Sequence, residues 1–234
     1  MIDLTDRVAL VTGANRGLGL ETARQLAAGG AIVLVSARNR ASAIEAARAI
    51  GVPTDRAVRL DVTSADDVDA CAETFRQSYG GRLDILVNNA AIHYDDHETA
   101  LAADLAVARE AFDTNVLGAW RLAQMAARFM KPRRWGRIVN VSSEAGALAS
   151  MQPSAPAYRV SKLALNGLTM MLAAELRKSG VLVNAVCPGW VATDMGGPGG
   201  RPIADGARSI VWAARLDDTG PTGGFFRDGR RLPW

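Results

Sequence analysis

The segment Thr12-Gly13-Ala14-Asn15-Arg16-Gly17-Leu18-Gly19 limits what this chain can fold into more than any other. It follows a short apolar run, Val8-Ala9-Leu10-Val11, and leads into Leu18 to Leu26, where apolar residues recur at helical spacing. Glycines between a strand and a helix let the backbone turn tightly. They also bring the N–H groups of the helix start against an anion such as a pyrophosphate. Three residues separate Gly13 from Gly17 and one separates Gly17 from Gly19, which departs from the commonest dinucleotide fingerprint. The string therefore takes its meaning from its place in a strand-turn-helix unit.

The alternation continues along the chain. Apolar runs at Ala31–Val35, Ala57–Leu60, Leu83–Val87, Arg137–Val141, Val181–Val186 and, more weakly, Gly224–Phe226 read as further strands. Helical stretches at 40–50, 64–79, 99–130, 157–179 and 204–215 lie between them, with Thr63 or Ser64 as an N-cap ahead of Asp66 and Asp67. Such alternation favours a parallel sheet covered on both faces through right-handed crossovers. The expected architecture is α/β: one Rossmann-fold domain over residues 1–234, with a doubly wound, seven-stranded parallel sheet. No linker or internal repeat divides it. The glycine-rich stretch 196–202 reads as a loop over a site, within a substrate lid at about 190–205.

Lys and Arg number 27 against 24 Asp and Glu, a net charge of +3 scattered along the chain, which argues against a nucleic-acid partner. Two basic runs, Lys131–Arg137 and Arg227–Arg231, read as solvated turns. Cys71 and Cys187 make no disulfide framework and point to a reducing compartment, although one pairing is formally open. The chain start lacks the pattern of a signal peptide, and no apolar run approaches the roughly 18 residues of a membrane span. A cytoplasmic protein without a membrane partner is expected.

The second strand ends in Val35-Ser36-Ala37-Arg38. In dinucleotide sites an acid about 20 residues beyond the glycines holds the ribose 2′-hydroxyl, and here it is absent. Arg38 can form a forked, charge-assisted contact with a 2′-phosphate, and Arg16 in the glycine loop can reach the same group. NADP(H) is thus expected over NAD(H). Asp61, beside Val62 at the end of the third strand, has two readings of equal weight: acceptor for the adenine amino group, or cap of the helix near Ser64.

Tyr158-Arg159-Val160-Ser161-Lys162 places a phenol and an ammonium four residues apart, on one face of the 157–179 helix. A phenol ordinarily loses its proton near pH 10. A lysine beside it and an oxidised nicotinamide favour phenolate, so Lys162 is expected to tune Tyr158 toward the working range. The chain also carries Asn88-Asn89-Ala90-Ala91, Asn115, Ser143 and Pro188-Gly189. With these, in order and at matching separations over essentially its whole length, the sequence resembles the short-chain dehydrogenase/reductase family.

The resemblance implies a role for each matching position. Tyr158 becomes the general acid in carbonyl reduction and the base in oxidation, and Lys162 also holds the nicotinamide ribose. Ser143 hydrogen-bonds the substrate oxygen. Ser142 is its rival, and Ser143 is preferred because it stands three residues before Gly146. Asn115 opens the long helix locally and holds a water leading to Lys162. Gly13, Asn15, Arg16, Gly17, Leu18 and Gly19, with Asn89, Ala90 and Ala91, surround the cofactor. Pro188, Gly189, Val191 and Thr193 meet the nicotinamide end, while Trp190 begins the lid and closes the substrate pocket together with residues such as Met151.

Two features depart from the family pattern. Ala91 stands where glycine is usual, and the stretch Met151-Gln152-Pro153-Ser154 lengthens the separation of Ser143 and Tyr158, reshaping one pocket wall. The closing segment Pro221–Gly229 resembles carbonyl-reductase-type members. The expected function is NADPH-dependent reduction of a ketone or aldehyde. Oxidation of an alcohol or hydroxysteroid is the alternative, and a non-catalytic NADP(H) sensor is less favoured. The partners implied are a small-molecule substrate and a homodimer or homotetramer formed through 99–130 and 157–179. His93 and His97, four apart after a strand, read as polar residues beside the cleft and not as a metal site.

Overall fold

The computed structural model describes residues 1–234. Its elements alternate as the sequence requires: β1 (Val8–Val11), α1 (Gly17–Ala28), β2 (Ile32–Ala37), α2 (Arg40–Ala49), β3 (Ala57–Arg59), α3 (Ala65–Ser78) and β4 (Ile85–Asn88). There follow α4 (Leu105–Phe112), α5 (Ala119–Arg133), β5 (Gly136–Val141), α6 (Pro156–Leu176), β6 (Val181–Val186), α7 (Ile203–Ala214), β7 (Phe225–Arg227) and β8 (Arg230–Arg231). The sheet runs β3-β2-β1-β4-β5-β6-β7-β8. This is a Rossmann-type α/β fold.

Strands buried on both faces read as continuous apolar runs, and the side-chain alternation within them divides the core. Val8, Leu10, Leu34, Leu86 and Ile138 face Phe75 of α3, Leu122 and Phe129 of α5, and Leu165 of α6. Their neighbours Ala9, Val11, Val33, Val35 and Ile85 face Ala23 and Leu26 of α1 and Ile210 of α7. The strand order reverses between β1 and β4, and in sheets of this kind the crevice beyond the strand ends at that point receives ligands.

The sheet has one strand more than the seven expected. β8 returns antiparallel on β7. Asp228 and Gly229 between them have φ of 51° and 75°, the two positive values that an Asp-Gly hairpin turn demands. The helix expected over 99–130 begins only at Leu105, where Asp104 accepts from Ala106 N–H at 2.7 Å. It then widens to π-helical winding over Asp113–Gly118 before continuing as α5. The basic run at Lys131–Arg137 is not wholly solvated either. Arg137 is fully buried and donates to Leu216 O, Gly136 O and Asp218 Oδ1, each at 2.8 Å.

Candidate active site

A cleft of roughly 1120 Å³ opens at the carboxyl ends of the strands, and every sequence-assigned site residue except Asn115 lines it. Its floor at the β1–α1 turn is backbone. Gly13 has φ of +59°, and a Cβ there would stand 3.0 Å from Ala90 Cα. At Gly19 a Cβ would stand 2.4 Å from both Gly13 O and Asn89 Nδ2, so no side chain fits without moving the loop. Asn89 braces this turn: its amide donates to Thr12 O at 2.8 Å and Gly13 O at 3.2 Å. Thr12 Oγ1 in turn accepts the N–H groups of Asn89 and Ala90 at 2.9 Å.

The first turn of α1 has no acidic residue and no side-chain cap, so its N–H groups at the cleft keep their capacity for an anion. Arg38 is exposed at the same end. Burial raises the Asp61 carboxyl, but the Thr63 N–H at 2.9 Å and hydroxyl at 2.8 Å, with Arg38 and Arg59 nearby, leave it below its ordinary value. Asp61 does not cap α3; Ser64 does, accepting from Asp67 N–H at 3.2 Å. Arg16 pairs with Asp194 of the lid at 3.2 Å. Uncapped helix N–H groups, tightly packed glycines and two arginines at one end fit an anionic dinucleotide.

At the other end Tyr158 and Lys162 share one face of α6. Lys162 Nζ donates to Val141 O at 2.8 Å and lies 5.6 Å from the centre of the phenol ring. Burial pushes Lys162 down to about 8 and Tyr158 up to about 12. The Ser143 hydroxyl is the largest influence opposing the rise of Tyr158, and burial outweighs it.

The structure separates the two serines by strand parity. Asn140 and Ser142 point from β5 to α6, where Asn140 donates to Thr169 Oγ1 at 2.9 Å and Ser142 donates to Asn166 Oδ1 at 2.6 Å. Ser143, one position on, lines the cleft with Tyr158, and its Oγ accepts from Ala145 N–H at 3.1 Å. Asn115 does not line the cleft. Its Oδ1 accepts from Ile92 N–H at 2.8 Å, and its Nδ2 donates to Ile92 O at 3.1 Å and Ser161 Oγ at 2.9 Å. The side chain thereby ties the segment after β4 to α6 through the π-helical turn.

Sequence reasoning missed what holds the start of α6. Ala155 precedes the helix in the left-handed region with φ of 50°, Pro156 opens it, and no side chain of that segment caps it. The cap comes from Asp95, whose Oδ2 accepts from Ala157 N–H at 2.6 Å and Tyr158 N–H at 3.4 Å. The signal was present in Ala155-Pro156, a helix start lacking a polar N-cap of its own. Arg159 secures the lengthened loop by donating to Ser154 O at 2.6 Å and Ser150 O at 3.0 Å.

The segment after β6 folds on itself. Thr193 pairs with Gly197 and Val191 with Arg201, while Trp190 Nε1 donates to Gly196 O at 2.6 Å. The Trp190 indole covers Gly199, where a Cβ would stand 2.9 Å from it. Met151, expected to help close the pocket, does not line the cleft. Of the histidines, His93 reaches into it, with Nε2 2.8 Å from Asp96 Oδ1.

Comparison with known proteins agrees with this geometry. The model of a family described as short chain dehydrogenase matches residues 7–201. A 3-oxoacyl-[acyl-carrier-protein] reductase of Synechocystis sp. is 37% identical over 198 residues, 83% of this chain and 78% of that protein. Galactitol 2-dehydrogenase of Agrobacterium fabrum is 39% identical over 197 residues, 80% of this chain and 72% of that protein. Sex determination protein tasselseed-2 of Zea mays is 40% identical over 195 residues, 82% of this chain and 57% of that protein.

Proposed function

The chain belongs to the short-chain dehydrogenase family of oxidoreductases, and from that premise we propose that it is an NADPH-dependent reductase of ketones or aldehydes, with Tyr158 as proton donor. The observation that carries this reading is that Tyr158, Lys162 and Ser143 line one end of the cleft whose other end is the glycine turn, with Lys162 Nζ 5.6 Å from the centre of the phenol ring. Bound NADPH would supply the hydride. Ser143 and Tyr158 hold the carbonyl oxygen between two hydroxyl groups, and Tyr158 Oη gives its proton as negative charge develops there. Lys162 Nζ, held near 8, can release and regain a proton close to neutrality. At the far end Arg38 and Arg16 meet the 2′-phosphate, and the start of α1 meets the pyrophosphate.

One relative is named a reductase and another a dehydrogenase, so alcohol oxidation by the same residues, with Tyr158 as base, is the second reading. The proposal extends to a homodimer or homotetramer through α4 to α6, where Trp120, Met170 and Met171 are exposed. It extends also to the cytoplasm as location; no helix is long and apolar enough to cross a membrane.

The test is a panel of carbonyl compounds with NADPH and NADH side by side, and of alcohols with the oxidised cofactors. NADPH is expected to be consumed faster. Arg38→Ser should reduce the NADPH-to-NADH ratio of kcat/KM by about tenfold or more, the value of a charge-assisted bond. Absence of turnover in either direction overturns the proposal.

A further inference from the structure

The segment after β4 carries side chains to which the proposed chemistry gives no task. The His93 imidazole lies 4.2 Å from the Tyr158 phenol between ring centroids, tilted by 31°. Asp96 Oδ1 stands 2.8 Å from its Nε2 without the alignment of a hydrogen bond. Asp95 between them is buried and caps the backbone N–H groups of Ala157 and Tyr158. Three residues within one short segment thus converge on a single tyrosine, one on its ring, one on its backbone and one on the ring beside it. That tyrosine lies in the first turn of a helix with no cap of its own, and its phenol must keep its place in the cleft to react.

We infer that His93 is a positioning residue for Tyr158: its ring, packed against the phenol, keeps the phenol from turning out of place in the cleft and shields one side of it from water. The inference rests on the reading of Tyr158 as proton donor. The two rings are in close face contact, and such packing restricts the rotation of both. Proton transfer is sensitive to small displacements of the donor, so loss of the ring acts on turnover and not on cofactor binding.

The experiment compares His93→Ala, His93→Phe and His93→Gln in the full chain, with melting temperatures confirming that each variant folds. His93→Ala should lower kcat for carbonyl reduction about tenfold or more, a fraction of what a displaced reacting group loses, with the NADPH dissociation constant unchanged by fluorescence titration. His93→Phe, which keeps a ring, should restore most of kcat. His93→Gln, which keeps a polar side chain but no ring, should behave like His93→Ala. Independently of activity, acylation of Tyr158 by N-acetylimidazole, read by peptide mass against the exposed Tyr94, should rise in the Ala and Gln variants and not in the Phe variant. A wild-type kcat and acylation rate in His93→Ala, or a His93→Phe no better than His93→Ala, overturns the inference. If the unmodified protein reduces no carbonyl compound, the proposed function fails while the acylation comparison still decides whether His93 fixes the phenol.

Discussion

At the nucleotide end of the cleft the working surface is backbone, supplied by Gly13 to Gly19 in one uninterrupted turn and braced by Asn89. At the catalytic end it is side chains, brought from β5, from α6 and from the segment after β4. The first kind of surface depends on the absence of side-chain atoms, because only there can backbone N–H groups approach a ligand. The second depends on groups held at one relative position by helices and strands far apart in the chain. Substitutions should therefore act oppositely at the two ends, through added atoms at one and removed atoms at the other.

The largest effect belongs to the catalytic end. Tyr158→Phe removes the only hydroxyl of the pair that can give its proton, and kcat should fall by about a hundredfold to ten-thousandfold while NADPH binding persists. Steady-state rates beside a fluorescence titration check this, and retention of near wild-type kcat would break the assignment of roles. At the nucleotide end Gly19→Ala places a Cβ 2.4 Å from Gly13 O. An overpacked site loses about 1–3 kcal/mol, so NADPH should bind roughly ten- to a hundredfold more weakly. Recovery of kcat at saturating NADPH would sharpen the contrast, and an unchanged dissociation constant would break it.

A smaller effect concerns stability. Lys162 is held down to about 8 by burial against an ordinary value of 10.5, so between those values the unfolded chain binds the proton that the folded one lacks. Stability contributed by this group therefore rises with pH from about 8 to 10.5, and the full penalty for burying the cation is present below 8. Lys162→Met should remove that penalty. The gain at pH 7 is on the order of 1–2 kcal/mol after allowing for the lost bond to Val141 O, and it should vanish near pH 10. Thermal melts at the two pH values test it, and a variant less stable at pH 7 would show that the Val141 bond dominates. The smallest effect is at the lid. Asp194→Asn frees Arg16 from an exposed ion pair worth about 0.5 kcal/mol, and should change NADPH affinity by no more than about threefold.

The same contrast explains what could be read in advance. The sequence alone determined the alternation of strands and helices, the two-faced sheet and the nucleotide turn, because each of these is local: periodicity and glycine spacing are written in consecutive residues. Even the missed β8 was local, in Asp228-Gly229. Tyr158 and Lys162 were legible for the same reason, being one helical turn apart. Only the tertiary structure showed that Ser142 is held by Asn166 on α6 while Ser143 is not, since that turned on which way each points at the end of β5. It also showed that Asn115 binds Ile92 and Ser161 rather than facing the cleft. Asp95 and His93 were beyond the sequence because they act across 62 residues and more, on a helix whose position relative to β4 follows from the packing of the whole sheet and not from any pattern near them.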